Sequence, residues 1–268
     1  MRSSWSLPYV LAGATSALLV GAKIAPAHDL KSEVPVVRVA PTASAAPTTD
    51  SVTTKRLATI AARTKAALAA LGDAVRPLSH PRALEDAFQS YFAFKAAHQD
   101  EVRQPYLYFA DYGLPSSAPR GYVFDMTKLQ IVEGPFTVAH GRGSVAGKDG
   151  IPRRFSNAVG SAATSLGLYV AQELYRFHGA AAGRSYSAVG MRLEGVSRNY
   201  NDNAHARGVV AHGAPYVTPK GAGRSEGCPA MELARAKRLL PKLANGGMVF
   251  LFAPNSDWME KDPWLAGE

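Results

Sequence analysis

"VVAHGAPYVTPKGAGRSEGCPAM", Val209 to Met231, joins an apolar run ending in a histidine to a turn that holds a cysteine. Cys228 is the only cysteine in 268 residues, and it stands between Gly227 and Pro229. Glycine on one side and proline on the other make a poor core segment. They make a good tight turn that exposes a side chain and leaves backbone N–H groups free. A lone cysteine is inert and buried, pairs with another chain, or works as a thiol. A working thiol needs a base. Of seven histidines, His212 lies at the end of the apolar run, 16 positions before Cys228. A strand delivering His212 beside a turn holding Cys228 is the simplest geometry for a dyad. The free N–H groups of Gly227 and Cys228 would then serve as an oxyanion hole. The competing reading of His212 is a hydrogen-bonded structural histidine, and spacing alone leaves both open.

Outward from this stretch the chain is mostly β. "YLYFADYG", "GYVFDMTKLQIVEGPFTVAHG", "LGLYVAQELYRF" and "AVGMRLEGV" are short runs rich in Val, Tyr, Phe and Leu, punctuated by Gly, Pro, Asn and Ser. "DMTKLQ" reads as a hairpin turn. His178 falls in "FHGAAAGRS", a glycine- and alanine-rich loop by composition. After the cysteine, "AMELARAKRLLPKL" is a short amphipathic helix and "GGMVFLFAP" a last buried strand. This predicts a mainly β body, a sandwich or open barrel, over residues 105–268, with one short helix after the turn.

A helical preface occupies 53–104. Its first helix has Thr53 as N-cap and an apolar stripe of Leu57, Ile60, Ala61, Leu68, Leu71 and Val75. Its second starts near Ser79 and Pro81, with Leu84, Ala87, Phe88, Tyr91 and Phe92 on one face. Residues 28–52 are rich in Pro, Ala and Thr and read as a flexible linker. Residues 1–27 read as a signal peptide. Arg2 precedes an apolar run, and "APA" at 25–27 offers a cleavage site. The expected location is therefore the periplasm or cell envelope, with membrane contact only if the signal segment stays uncleaved. The full chain carries a formal charge of +9; without residues 1–27 it keeps 28 basic and 21 acidic residues, +7. A basic exported protein suits a carboxylate-rich envelope or an anionic membrane surface rather than nucleic acid, with mild basicity that only aids solubility as the equal alternative. There is no Cys-x-x-Cys, no His-x-x-x-His and no phosphate-binding glycine loop. A zinc site from His205, His212 and Cys228 is a weak alternative. No cofactor is called for.

The blocks "VAHGRGS", "FSNAVGSAATSLGLYV", "GMRLEGVSRNYNDNAHARGVVAHGAPYV" and "GRSEGCPAM", in that order, resemble the murein L,D-transpeptidase catalytic-domain family. The resemblance covers roughly Pro105 to Pro254. The turn is similar to a branch that reads Arg-Ser-x-Gly-Cys-Pro. It implies that Cys228 is the acyl-enzyme nucleophile and His212 its base, acting on diaminopimelate-containing peptidoglycan stem peptides. The outcome would be a cross-link, or hydrolysis if water replaces the acceptor amine. Arg224, Ser225 and Tyr216 are the substrate-binding candidates, Arg224 because a guanidinium grips a carboxylate bidentately, with a structural tie within the turn as its nearly equal alternative. Glu226 departs from the family's turn. A carboxylate there raises the thiol's pKa unless it points away or Arg224 neutralises it. "NYNDNA" reads as a turn-former, and "FSN" has no evident physical role. Two other classes stay open: a non-catalytic cell-wall binding protein and a metal-dependent envelope hydrolase.

Overall fold

A computed structural model describes residues 49–266. The signal segment and most of the linker lie outside the described residues. Helix α1 (Thr49–Leu71) begins four residues before Thr53, which sits inside it rather than capping it. No glycine or proline separates Thr49 from Leu71, so nothing interrupts the helix there. Its buried stripe is Ile60, Thr64, Ala67 and Leu71, while Leu57 is 43% exposed. The stripe is narrower than the apolar positions suggest because α1 meets the body chiefly through α2 (Ala83–Ala97). α2 is buried at nine positions, among them all five apolar residues of its expected face. It lies against the strands as a core element.

The strands are β1 (Tyr106–Asp111), β2 (Gly121–Asp125), β3 (Gln130–Phe136), β4 (His140–Gly141), β5 (Gly167–Ala181) and β6 (Arg184–Gly195). They continue with β7 (Val210–Gly213), β8 (Val217–Thr218), β9 (Gly221–Ala222), β10 (Arg224–Ser225), β11 (Ala230–Met231) and β12 (Met248–Phe252). Eight form one sheet in the order β11-β7-β6-β5-β12-β1-β2-β3. The ladders β1–β12 and β11–β7 are parallel and the others antiparallel. β12 is buried at every residue, as its continuous apolar run requires. α2 packs on β12, β1 and β5, and α3 (Leu233–Leu243) packs on β6 and β7. The fold is thus mainly β with a helical preface and a short helix after the turn. A six-residue helix α4 (Ser256–Lys261) follows, capped by Asn255 and anchored by Trp258 against Phe250 and Phe252. Burying each such ring contributes about 1.5–3 kcal/mol.

His178 is not in a loop. β5 and β6 form one long hairpin in which His178 pairs with Ser187, and the reversal is confined to Ala182 and Gly183. Both have positive φ, 48° and 74°, the conformation a two-residue hairpin turn demands. The small side chains after His178 stay in the ladder, so composition alone misplaces the turn.

Candidate active site

Three backbone segments converge on Cys228. β7 runs beside β11 with Ala230 opposite His212, so the cysteine lies two residues before the position facing the histidine. β10 runs beside β4, with Arg224 opposite His140 and Ser225 opposite Gly141. Gly141 makes this approach feasible. A Cβ there would stand 2.3 Å from the Ala162 carbonyl and 2.8 Å from the Gly227 Cα. Gly227 has φ +125°, and a Cβ would lie 2.9 Å from the Ala163 carbonyl. The glycine before the cysteine is therefore required by conformation and by space.

The turn is braced from within. Ser225 Oγ donates to the Cys228 carbonyl at 2.7 Å and accepts from the Gly227 N–H at 3.2 Å. Thr164 Oγ1 donates to the Gly227 carbonyl at 3.2 Å and accepts from the Gly141 N–H at 3.0 Å. Two expectations change here. Ser225 is buried and its hydroxyl ties the turn together, so it is not placed to contact substrate. The Gly227 N–H is already spent on that hydroxyl, which leaves the Cys228 N–H as the candidate donor of the expected pair.

His212 is 2% exposed. Its Nδ1 bonds the Gly213 carbonyl at 3.0 Å, which fixes the proton on Nδ1 and leaves Nε2 as the acceptor. Its ring stacks on Phe177 at 4.0 Å and 15°. Behind it, Gly213 admits α3, with Ala236 Cβ 3.0 Å from where its own Cβ would be. Burial pushes the imidazole down to about 4, and the Gly213 carbonyl pulls the other way. His212 is therefore a neutral imidazole at neutral pH, with Nε2 free to accept. The Cys228 side chain is 8% exposed, with Sγ 3.9 Å from the Gly208 carbonyl. Burial raises the thiol's pKa, while the Val210 N–H and Arg207 lower it and Glu226 raises it. No hydrogen bond joins Cys228 to His212 among the described residues. The resting pair is neutral thiol and neutral imidazole on adjacent segments.

Arg224 does not meet Glu226. Its Nη1 donates to Ser116 Oγ at 2.9 Å and to the carbonyls of Ala222 and Gly223 at 3.2 and 3.3 Å. Glu226 instead takes Arg142 Nε at 2.8 and 2.9 Å in an exposed pair. Of the two alternatives for Glu226, neutralisation by Arg224 does not hold, because β10 directs residue 224 toward β4 and the Ser116 loop while Glu226 pairs with Arg142. Tyr216 packs on Gly223 and meets Tyr186 edge-on with centroids 6.5 Å apart. Burial, then Tyr186, pushes its phenol well above the usual range.

Three residues that sequence reasoning passed over matter here. Arg120 is fully buried and, among the described residues, has no carboxylate hydrogen bond. It donates to Val138 O (3.1 and 2.7 Å), Leu114 O (2.6 Å) and His140 Nδ1 (2.8 Å), and its Cζ lies 4.7 Å from the Tyr112 ring centre. His140 is pushed down to about 3, by burial first and then by Arg120 and Arg224. Its Nδ1 lone pair is occupied, so it is a buried acceptor and not a base. Arg207 stands beside Ala163 and Gly227. The loops that position it explain "FSN" and "NYNDNA". Asn157 Nδ2 bonds Asn199 O and Asp202 Oδ1, and the Asn203 N–H bonds Asn157 Oδ1. Asn201 bridges the Ser197 N–H and the Leu168 carbonyl. His205 is exposed and outside the site. Among the described residues no group of three or more His, Cys, Asp or Glu could hold a metal ion.

Residues 77–252 match the family described as the L,D-transpeptidase catalytic domain, and the chain belongs to that family. Solved structures similar to it include an L,D-transpeptidase from Mycobacterium smegmatis, 13% identical over 56% of this chain and 59% of that one, TM-score 0.34. Another from Mycobacterium tuberculosis is 17% identical over 56% and 58%, TM-score 0.32. A third, from Stackebrandtia nassauensis, is 14% identical over 64% and 66%, TM-score 0.34. The chain thus spans less than two thirds of the length of each of these three proteins. No curated protein matches it.

Proposed function

We propose that this protein is a cysteine L,D-transpeptidase that acts on diaminopimelate-containing peptidoglycan stem peptides in the cell envelope. The observation that carries the reading is the locked tautomer of His212. Nδ1–H is committed to Gly213 O, and the free Nε2 lone pair belongs to a strand in register with the segment that follows Cys228. His212 Nε2 takes the thiol proton as Sγ attacks the diaminopimelate carbonyl carbon. The Cys228 N–H donates to the oxyanion, and losing such a donor costs about 3 kcal/mol of transition-state stabilisation. The C–N bond to the following D-amino acid breaks, and the imidazolium returns its proton to the leaving amine. A thioester remains. The side-chain amine of a second stem attacks it, loses a proton to Nε2, and expels the sulfur, which is reprotonated from the imidazolium. Arg224 has no carboxylate hydrogen bond among the described residues, which supports it as the grip for a stem carboxylate. In resting enzymes catalytic hydrogen bonds are often long and tighten when substrate binds.

The test is incubation of the full chain with defined tetrapeptide muropeptides, with products weighed by mass spectrometry. A dimer mass with loss of one D-amino acid is expected, and Cys228→Ala should give none. Trimmed monomers alone would assign the protein as an L,D-carboxypeptidase. Turnover by Cys228→Ala would refute the thioester.

A further inference from the structure

Among the described residues Arg207 is a guanidinium held without an acid. Its Nη1 donates to the Ser156 carbonyl at 2.8 Å and Ser165 Oγ at 3.1 Å. Its Nη2 donates to Ser161 Oγ at 3.2 Å and the Ala163 carbonyl at 2.6 Å. All four acceptors are neutral oxygens. Holding a partly buried cation with neutral partners costs stability, because its desolvation is not offset by a counter-charge. The position of that charge is specific. Nη2 lies 3.5 Å from where a Cβ on Gly227 would be, directly behind the residue that precedes the nucleophile. The next residue, Gly208, turns its carbonyl to the Cys228 sulfur at 3.9 Å. One loop therefore brings both a cation and a sulfur contact to the same turn.

We infer that Arg207 is the resident cation of the acyl-transfer site, a positioning residue that ties its own loop, which carries the Gly208 contact to the sulfur, to residues 156–165 and compensates the negative charge that develops on the sulfur. The inference rests on Cys228 being the nucleophile. When the thiol proton passes to His212 Nε2, the site gains a buried thiolate and imidazolium. A guanidinium is not deprotonated at any working pH, so Arg207 offsets that thiolate at every step. The other groups that face the sulfur do not compete for this role. Glu226 is the acid on the same turn, and its carboxylate is engaged by Arg142. Tyr112 and Tyr169 lie beneath the site, and burial pushes both phenols above their usual range. Tyr175, Tyr186 and Tyr216 approach from the hairpin and the β7–β8 loop, raised in the same way. All stay uncharged at neutral pH, as does His212 before the transfer.

The test uses the full chain with Arg207→Gln and Arg207→Lys. Iodoacetamide, a small neutral reagent, reports Cys228 alkylation rate against pH, and thermal unfolding reports the fold. Arg207→Gln should raise the thiol's ionisation midpoint by about one pH unit and slow alkylation at neutral pH about tenfold. Arg207→Lys should restore most of the wild-type profile despite losing the fork. A merely structural arginine would lower the melting temperature in both variants and leave the profile unmoved, which would overturn the inference. If Arg207→Gln does not fold, nitrogen NMR of the wild-type guanidinium decides. The Arg207 Nε–H signal should move with the thiol midpoint and stay still in Cys228→Ser. A still signal in the wild type overturns the inference. Alkylation needs no muropeptide, so it reports on Arg207 separately from the Cys228→Ala turnover assay that tests the nucleophile.

Discussion

Acidification should weaken this fold through His140, and the amount follows from its surroundings. The side chain is fully buried, and its Nδ1 accepts from Arg120 Nη2 at 2.8 Å. Burial, then Arg120 and Arg224, lowers its midpoint from 6.5 to about 3. The unfolded chain therefore takes up a proton near pH 6.5 that the folded chain refuses until about pH 3. The contribution is present in full above pH 6.5 and is lost as pH falls through that window. Between pH 6.5 and 5 the loss is about 1.5 pH units at about 1.4 kcal/mol each, or about 2 kcal/mol. His212, with its midpoint at about 4, acts in the same direction. Asp86 acts in the opposite one. Burial raises its carboxyl to about 6, so the folded chain binds that proton first and gains stability as pH falls from there. The wild-type curve alone is a sum of opposing effects, and a difference between variants isolates the histidine. His140→Asn keeps a carbonyl acceptor for Arg120 and removes the titration. Denaturant unfolding at pH 7 and pH 5 should show wild type losing about 2 kcal/mol more than the variant over that interval. Parallel losses in the two proteins would refute a buried neutral His140.

Ser225→Ala leaves the Cys228 carbonyl and the Gly227 N–H without their partner. It should cost about 1–3 kcal/mol in denaturant unfolding and slow muropeptide acylation; unchanged stability would show that the turn is braced elsewhere. Glu226→Gln removes a carboxylate that Arg142 already engages. The thiol midpoint from alkylation against pH should stay or fall slightly, and a rise would contradict the placement of that charge.

Much of the fold is legible in the chain because its signals are local. "DMTKLQ" between two aromatic-rich runs specifies the β2–β3 turn, and "GGMVFLFAP" is apolar enough to be a strand covered on both faces. The helix after the cysteine shows its stripe, with Ala236, Leu239, Leu240 and Leu243 all buried. What failed were features decided by partners distant in sequence. The β5–β6 hairpin runs through Gly179, Ala180 and Ala181, residues that look like a loop until the opposite strand pairs with them. The Glu226 partner was sought two residues away, at Arg224, whereas Arg142 comes from the turn just after β4, 84 positions earlier. Thr64 takes a place in the α1 stripe that its hydroxyl disguised. In the site itself, the histidine and cysteine were visible as residue types. The brace formed by Ser225 was not, since a serine before a nucleophile reads equally well as a contact for substrate.

The distribution of charge around the sulfur gives the unusual Glu226 a physical account. A carboxylate two residues before a thiol opposes its ionisation, and burial opposes it further. Neither obstacle is removed by the basic residue adjacent in sequence, because Arg224 is turned toward Ser116 and the carbonyls of its own loop. The turn instead lies between two arginines brought from elsewhere. Arg142 pairs with Glu226 on the solvent side, where the interaction is screened by water. Arg207 lies on the protein side, where its acceptors are neutral and no acid among the described residues pairs with it. With the pair screened outside and the cation inside, Arg207 lowers the thiol's pKa by more than Glu226 raises it, even though the acid is next to it in the chain. The same arrangement leaves Arg224 without a carboxylate partner among the described residues. A stem peptide's carboxylate could bind there without displacing an internal counter-ion, so recognition and thiol activation would draw on different arginines and could change independently.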